Sequence, residues 1–304
     1  MAFRPATLEE ASGFLAEAAA EGRQVAIGRR GDLDPTGLDR LLEHEAGDLT
    51  CTVESGVRLS VLQDALARHG QRLSLDPPGD PTIGALLAEN ASGPLRHRFG
   101  APRDIVLGVT LVLGDGTIAN AGGKVVKNVA GYDLARLVCG SRGRLAFIAR
   151  ASLRLHPLPK AARTLVAEPD DPASAVAAIL ASQLQPSALD VLHPGRVAVL
   201  FEGAERAVEA QLAAARRLVG GIEAGPEVWG ESRERQAESS GRIAFDPGHL
   251  AETLENLSEA VVRPAAGVAY TRDPPSYNLL QGNEGAARLL ERIKNELDPR
   301  GVLA

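Results

Sequence analysis

Three short segments in the first half of this 304-residue chain concentrate glycine where bare backbone could do chemistry. Gly28 and Gly31 bracket Arg29 and Arg30. Thr82, Ile83 and Gly84 follow a proline-rich run that holds Pro77 and Pro78. Gly140, Ser141, Arg142 and Gly143 form the third segment. A pyrophosphate is held best by several main-chain N–H donors that converge without Cβ atoms in the way, and a helix start adds favourable dipole charge. The first two segments offer that chemistry, and the third lets backbone lie flat against a large aromatic ring. Taken one at a time, each fits an ordinary turn more readily than a ligand loop.

Several function classes are excluded by what is missing. No G-x-G-x-x-G stands between a strand and a helix with an acid about 20 residues on, so a nicotinamide-type Rossmann domain does not fit. The phosphate loop of nucleoside triphosphatases is also lacking. With 33 Lys and Arg against 39 Asp and Glu the formal charge is −6, and no long basic run occurs, so a nucleic-acid partner is not expected. Cys51 and Cys139 are too few and too far apart for an iron-sulfur cluster or a four-cysteine zinc site. His44, His69, His97, His156, His193 and His249 lack ligand spacing, and no metal site is expected. Apolar runs such as 109–113 fall far short of the roughly 18 residues a membrane span needs. The opening MAFRPATLEE has no signal-peptide core, which points to the cytoplasm.

The elements that must position these loops follow from periodicity and caps. At roughly 150 residues per domain the length suggests two domains, and 44% hydrophobic with 24% charged residues supports packed cores. Thr7 and Glu10 form a capping box ahead of a helix over 8–21, and QVAIG at 24–28 reads as a strand. A strand over 49–55, a helix over 59–69 and a short helix from Ile83 follow. Residues 105–113 and 117–121 flank Gly114, Asp115 and Gly116 as a hairpin, a helix spans 132–138, and a strand closes over 145–155. Beyond Pro157 and Pro159 the order strand 163–168, helix 173–184, strands 188–193 and 196–202, helix 204–219 is that of a ferredoxin-like split βαβ sheet. Residues 220–240 carry no clear pattern. RIAF at 242–245, a helix near 249–259, VAYT at 268–271 and a helix near 285–297 complete this half.

The segments DPPGDPTIGALLAENASG, KVVKNVAGYDLARLVCGS and GSRGRLAFI, in that order, resemble the FAD-binding domain of the p-cresol methylhydroxylase (PCMH) and vanillyl-alcohol oxidase superfamily. Within it they are most similar to FAD-binding subunits of glycolate oxidase type, and the resemblance covers 1–156. It implies an α+β fold: a two-lobed PCMH-type FAD-binding domain over 1–158 and a ferredoxin-like α+β cap over 159–304, with the C-terminal helix returning to the FAD domain. By the same resemblance, Gly28, Arg29, Arg30 and Gly31 form the first pyrophosphate loop, and Pro77, Pro78, Thr82, Ile83 and Gly84 the second contact. Asn90, Ser92 and Gly93 form a flavin-side loop; Gly140, Ser141 and Gly143 form the turn after it, and Ile148 lies beside the adenine. Lys127, Asn128 and Tyr132 are the candidates for catalysis.

The first loop has no histidine for covalent attachment, so the resemblance implies noncovalent FAD. It also implies a short 2-hydroxy acid as substrate, a sister flavin subunit that carries the main catalytic site, and an iron-sulfur subunit. The complex would be cytoplasmic, reaching the inner membrane only through its partners. Departures from the family pattern are Arg29 and Arg30 in place of small residues, Ala85 in place of a second glycine, and Arg142, Arg144 and Ala146 in the last turn. They leave open a scaffold subunit that has lost its cofactor, and a stand-alone flavin oxidase of sugars or aldonolactones is a further alternative. Arg96, His97 and Arg98 read as a solvated basic loop, Cys139 as a buried apolar residue and Trp229 as a packing anchor.

Overall fold

Thr7 opens the first helix by accepting the Glu10 N–H at 3.1 Å, and the Glu10 carboxylate accepts the Ala6 N–H at 2.7 Å. Helix α1 (Leu8–Glu21) then runs to Gly22, whose φ of 65° stops it. Leu8, Ala11, Leu15 and Ala18 recur at three- and four-residue steps and are all buried. The computed structural model describes residues 2–123, 133–273 and 284–304.

After α1 come β1 (Leu41–Glu45), β2 (Thr50–Glu54), α2 (Leu59–Ala67), β3 (Gln71–Arg72), α3 (Ile83–Ala88), α4 (Arg96–Phe99) and α5 (Pro102–Ile105). The hairpin β4 (Val106–Val112) and β5 (Ile118–Gly122), helix α6 (Leu134–Val138), β6 (Phe147–Arg154) and β7 (His156–Pro157) follow. The main strands form an antiparallel sheet in the order β1-β2-β6-β4-β5, while β3 pairs with β7. Leu62, Leu66, Ile83, Leu86 and Leu87 from α2 and α3 bury one core with Ile148, Ala151 and Leu153. A second core joins α1 to Phe147, Ala149, Val302 and Leu303. Each fully buried side chain of this size stabilises by about 1.5–3 kcal/mol as an upper figure.

The strand expected over 24–28 is reduced to isolated bridges, Val25 to Leu303 and Ile27 to Leu33. The chain turns away at Gly28, with φ at 143°, before a ladder can extend. Strand β1 carries no run of β-branched residues and escaped the sequence pattern. Residues 96–99, expected as a solvated loop, wind into α4 with Arg96 and His97 half-buried.

In the second half stand β8 (Ala161–Ala167), α7 (Pro172–Ala181), β9 (Ala188–His193), β10 (Arg196–Gly203), α8 (Glu205–Val219) and β11 (Ile222–Ala224). They are followed by α9 (Glu227–Ala237), β12 (Gly241–Ala244), α10 (Leu250–Glu255), β13 (Ala260–Arg263), β14 (Val268–Thr271) and α11 (Glu284–Leu297). The sheet order β11-β8-β10-β9-β13-β14-β12 contains the ferredoxin-like set as its first four strands, extended by three more. Helix α9 occupies the stretch that lacked a pattern. Trp229 anchors it, 5% exposed, with its indole N–H donated to the Thr164 hydroxyl at 2.9 Å.

The two sheets are tied by polar contacts. Arg72 grips Glu202 with two hydrogen bonds of 2.7 and 2.6 Å, and the side chains are only 14% and 9% exposed. From α9, Gln236 donates to the Ser92 carbonyl at 3.0 Å and Arg233 lies 3.8 Å from Asp76. Helix α9 therefore holds segment 76–93 near both of its ends.

Candidate functional site

A trench of about 750 Å³ opens between the first loop, helix α3, the start of β6 and the far edge of the second sheet. That volume is ordinary for a cofactor-sized ligand. Of the residues singled out in the sequence, Gly28, Arg29, Thr82, Gly84, Asn90, Gly143 and Ile148 line it. Arg30, Gly31, Pro77, Pro78, Ile83, Ser92, Gly93, Gly140 and Ser141 are not among its lining residues. Lys127, Asn128 and Tyr132 lie outside the described residues.

The first loop closes on itself. Gly31 N–H bonds the Gly28 carbonyl at 2.9 Å, Gly28 N–H bonds that of Leu33 at 2.9 Å, and the Asp32 carboxylate accepts the Ala26 N–H at 2.9 Å. A Cβ on Gly31 would overlap the Ala26 carbonyl oxygen, whereas one on Gly28 would meet nothing within 4 Å. Gly31 is thus needed by the turn, and Gly28 leaves backbone bare toward the trench. Among the described residues the N–H groups of Arg29 and Arg30 have no acceptor. The Gly143 turn lies against this loop: a Cβ there would sit 3.3 Å from the Ile27 side chain. Arg142, at φ 55°, donates its own N–H to the Ala88 carbonyl at 2.8 Å and borders the trench.

The second segment departs from the expectation that its amides would cradle a ligand. Ile83 N–H bonds the Val57 carbonyl at 2.8 Å, and Gly84 N–H that of Ser55 at 2.7 Å. Ala85 N–H is capped by the Thr82 hydroxyl at 3.3 Å. Ile83 is fully buried, and a Cβ on Gly84 would stand 2.7 Å from that of Ser55. The first two donors are spent on seating α3 against the turn that follows β2, and the third on the helix's own cap. Gly93 is likewise a close-packing glycine, since a Cβ there would overlap the Asp76 carbonyl oxygen. Ala85 and Ala146 do line the trench.

Arg29, Arg58, Arg142 and Arg242 border the trench against Asp80 and Glu89. Arg58 and Asp80 pair at 3.4 Å, which leaves three arginines facing one carboxylate in a chain whose net charge is −6. A local positive excess on an acidic protein draws an anion to this place. The thiols do not contribute: burial pushes both Cys51 and Cys139 up to about 12, so neither is a thiolate at neutral pH. Burial, helped by Arg154, Arg72 and Arg98, holds His156 down at about 4, and burial also lowers His97. Asp76 moves the other way, up to about 7, because burial outweighs Arg263, the Leu95 N–H and Arg233. Among the described residues no group of His, Cys, Asp and Glu could hold a metal ion, and no helix is long and apolar enough to cross a membrane.

Residues 32–122 match the family described as FAD binding domain. The chain carries a PCMH-type FAD-binding domain. The trench suits such a cofactor: a dinucleotide brings a diphosphate that the bare amide of Arg29 and the arginine excess can meet. This FAD-binding chain is 35% identical over 201 residues to the glycolate oxidase subunit GlcE of Escherichia coli, an alignment covering 64% of this chain and 56% of that protein. It is 35% identical over 173 residues to the glycolate oxidase subunit GlcD of Bacillus subtilis, covering 55% and 37%. Against a D-lactate dehydrogenase of Archaeoglobus fulgidus it is 44% identical over 119 residues, covering 38% and 26%. The chain therefore spans about half the length of GlcE and less of the other two relatives. Two solved structures of alkyldihydroxyacetonephosphate synthase share its fold at 15% identity, with TM-scores of 0.72 and 0.74. They cover 98% of this chain and 74% and 75% of theirs.

Sequence reasoning missed the wall that the second sheet supplies, formed by Gln236, Arg242 and Tyr270. Arg242 stands opposite Tyr270 in the pairing of β12 with β14, so the strand register brings them to one face. Their alternation along RIAF and VAYT was legible, but not the cavity they face.

Proposed function

We propose that this chain is an FAD-binding subunit of glycolate oxidase type, holding FAD noncovalently in the trench and oxidising glycolate or D-lactate to the 2-oxo acid. Bound FAD supplies the hydride acceptor. The observation that carries this reading is the pairing of the Arg29 amide, which has no acceptor among the described residues, with the excess of arginine along a trench built largely by the FAD-binding domain. In it, Gly28 gives the diphosphate close approach to backbone, Arg142 offsets its charge, and Ile148 borders the adenine. Asn90 stands on the flavin side, while Lys127, Asn128 and Tyr132 remain the candidates for catalysis.

The reading divides the chain into an FAD-binding domain over 1–158 and a cap over 159–304. Helix α11 returns to the first half through Lys294, which donates to the Arg144 carbonyl at 2.7 Å. With two cysteines in the whole chain, electrons leave for a partner: an iron-sulfur subunit, in a complex with a sister flavin subunit. The complex is cytoplasmic and meets the inner membrane through those partners.

A visible spectrum of the purified chain tests this. Flavin bands, present at once or after FAD is added, with bleaching by anaerobic glycolate or D-lactate, are the expected result. A colourless protein that stays colourless with FAD overturns the cofactor assignment. Bands that neither acid bleaches overturn catalysis by this chain and leave a scaffold subunit.

A further inference from the structure

The end of the trench walled by the second sheet has a chemistry of its own. Arg242 and Tyr270 sit opposite one another across β12 and β14, a placement that puts their Cβ atoms about 5 Å apart on one face. Behind the phenol ring lies Arg263, its guanidinium carbon 5.0 Å from the ring centre and its side chain 1% exposed. Arg96, on α4, donates to the Ser92 hydroxyl at 3.1 Å and is close enough to Tyr270, Arg242 and Arg263 to feel their charge.

These arginines are not equivalent. Arg263 has a counter-ion, Asp190, at 3.5 Å, and it also donates to the Gln236 side chain at 2.7 Å and toward the Ser92 carbonyl at 3.5 Å. Arg242 and Arg96 have no carboxylate within ion-pair distance among the described residues. Asp104 attracts Arg96 only from farther off, and Glu238, the acid that follows α9, is taken by Arg272. Among the described residues, a cationic pair without a counter-ion, beside a phenol hydroxyl that forms no hydrogen bond, is a site short of one anion.

We infer that Arg242 and Tyr270, with Arg96 reinforcing the field behind them, form the specificity end of the trench and bind the carboxylate of a small acid. The guanidinium fork takes the two carboxylate oxygens, and the Tyr270 hydroxyl is placed for a polar group on the neighbouring carbon, which is the pattern of a 2-hydroxy acid. This rests on the preceding reading of the trench as the place where such an acid is oxidised.

The test is titration calorimetry of the full chain, supplied with FAD, using oxalate as an unreactive probe, with the visible spectrum of the same sample recorded. The expected result is that oxalate binds, that Arg242→Gln weakens it about tenfold or more, and that Arg242→Lys restores part of the loss. Tyr270→Phe should weaken oxalate less than Arg242→Gln does, since it removes one hydrogen bond to an oxygen on the neighbouring carbon and leaves the guanidinium fork in place. Because Arg242 is exposed, its substitutions should leave the melting temperature where it was. Absence of oxalate binding, or equal affinity in Arg242→Gln, overturns the inference. A flavin-free spectrum overturns the cofactor reading instead, and the oxalate titration still decides for or against the arginine site.

Discussion

Segments 28–31 and 82–84 each place a glycine at a turn or helix start, yet their amides go to different places. In the first, Gly28 and Gly31 spend their N–H groups on closing the loop, and those of Arg29 and Arg30 have no acceptor among the described residues. In the second, Ile83, Gly84 and Ala85 direct all three toward Val57, Ser55 and Thr82. A glycine that lets a ligand approach and a glycine that lets one strand approach a helix cannot be told apart by type. What separates them is the occupant of the missing Cβ position: open space at Gly28 and the Ser55 side chain at Gly84.

That contrast predicts opposite outcomes for two substitutions. Gly84→Val would press three carbons onto Ser55, where the first already stands 2.7 Å from its Cβ, and should cost about 3 kcal/mol of stability. Urea unfolding measures it. Flavin affinity of the fraction that remains folded should hardly change, and a folded, fully stable Gly84→Val chain that no longer takes up FAD would show that this segment serves the ligand after all.

Next in size is the acid tie of the same segment. Asp76 keeps its proton up to about pH 7 in the folded chain, while an unfolded aspartate releases it near 3.9. The folded state therefore binds more protons between those values, and the stability tied to Asp76 is present below about pH 4 and lost as pH rises toward 7. Relative to Asp76→Asn, the parent chain should lose about 2 kcal/mol over that interval, a figure kept small because the side chain is 19% exposed. Melting temperatures of both chains at pH 4.5, 6 and 7.5 check the sign. Parallel curves would mean that the carboxylate is ionised throughout.

Much of the first sheet was legible because its signals are local: the Thr7 cap, the helix opened by Thr82, the hairpin around Gly114 and Gly116. Strands β8, β9 and β10 of the second sheet were legible for the same reason, as an order of strand and helix, whereas β11 lies in the stretch that carried no pattern. Strand β13 was not, since AVVR is too short to show a period, and with it went the three-strand extension that brings Arg242 and Tyr270 to the trench. Along the sequence, 242 and 270 are separated by a helix and a strand, and only pairing of β12 with β14 unites them. The fate of the Ile83 and Gly84 amides was hidden as well, because their acceptors, Val57 and Ser55, lie a helix away in the chain.

Gly28→Ala is the counterpart of Gly84→Val, with a smaller effect of a different kind. No atom obstructs the new methyl, so the stability cost should be only about 1 kcal/mol, from a φ of 143° that alanine adopts poorly. The methyl would stand where the diphosphate is proposed to approach, and FAD affinity should fall about tenfold. Titration followed by flavin fluorescence separates the two readouts. An unchanged affinity would move the diphosphate away from this loop.

The mildest effect should come from Arg29→Gln, which keeps the backbone and removes one charge at the mouth of the trench. Arg29 is exposed and forms no ion pair among the described residues, so its influence is long-range and screened. In dilute buffer the substitution should weaken FAD several-fold, less than Gly28→Ala does, because the Arg29 N–H remains in place. At 1 M salt the Debye length falls to about 3 Å, and parent and variant should converge. A loss that persists at high salt would mean that the side chain touches the diphosphate directly. No loss at either salt would leave the first loop acting through its amides alone, with Arg142 as the charge that matters.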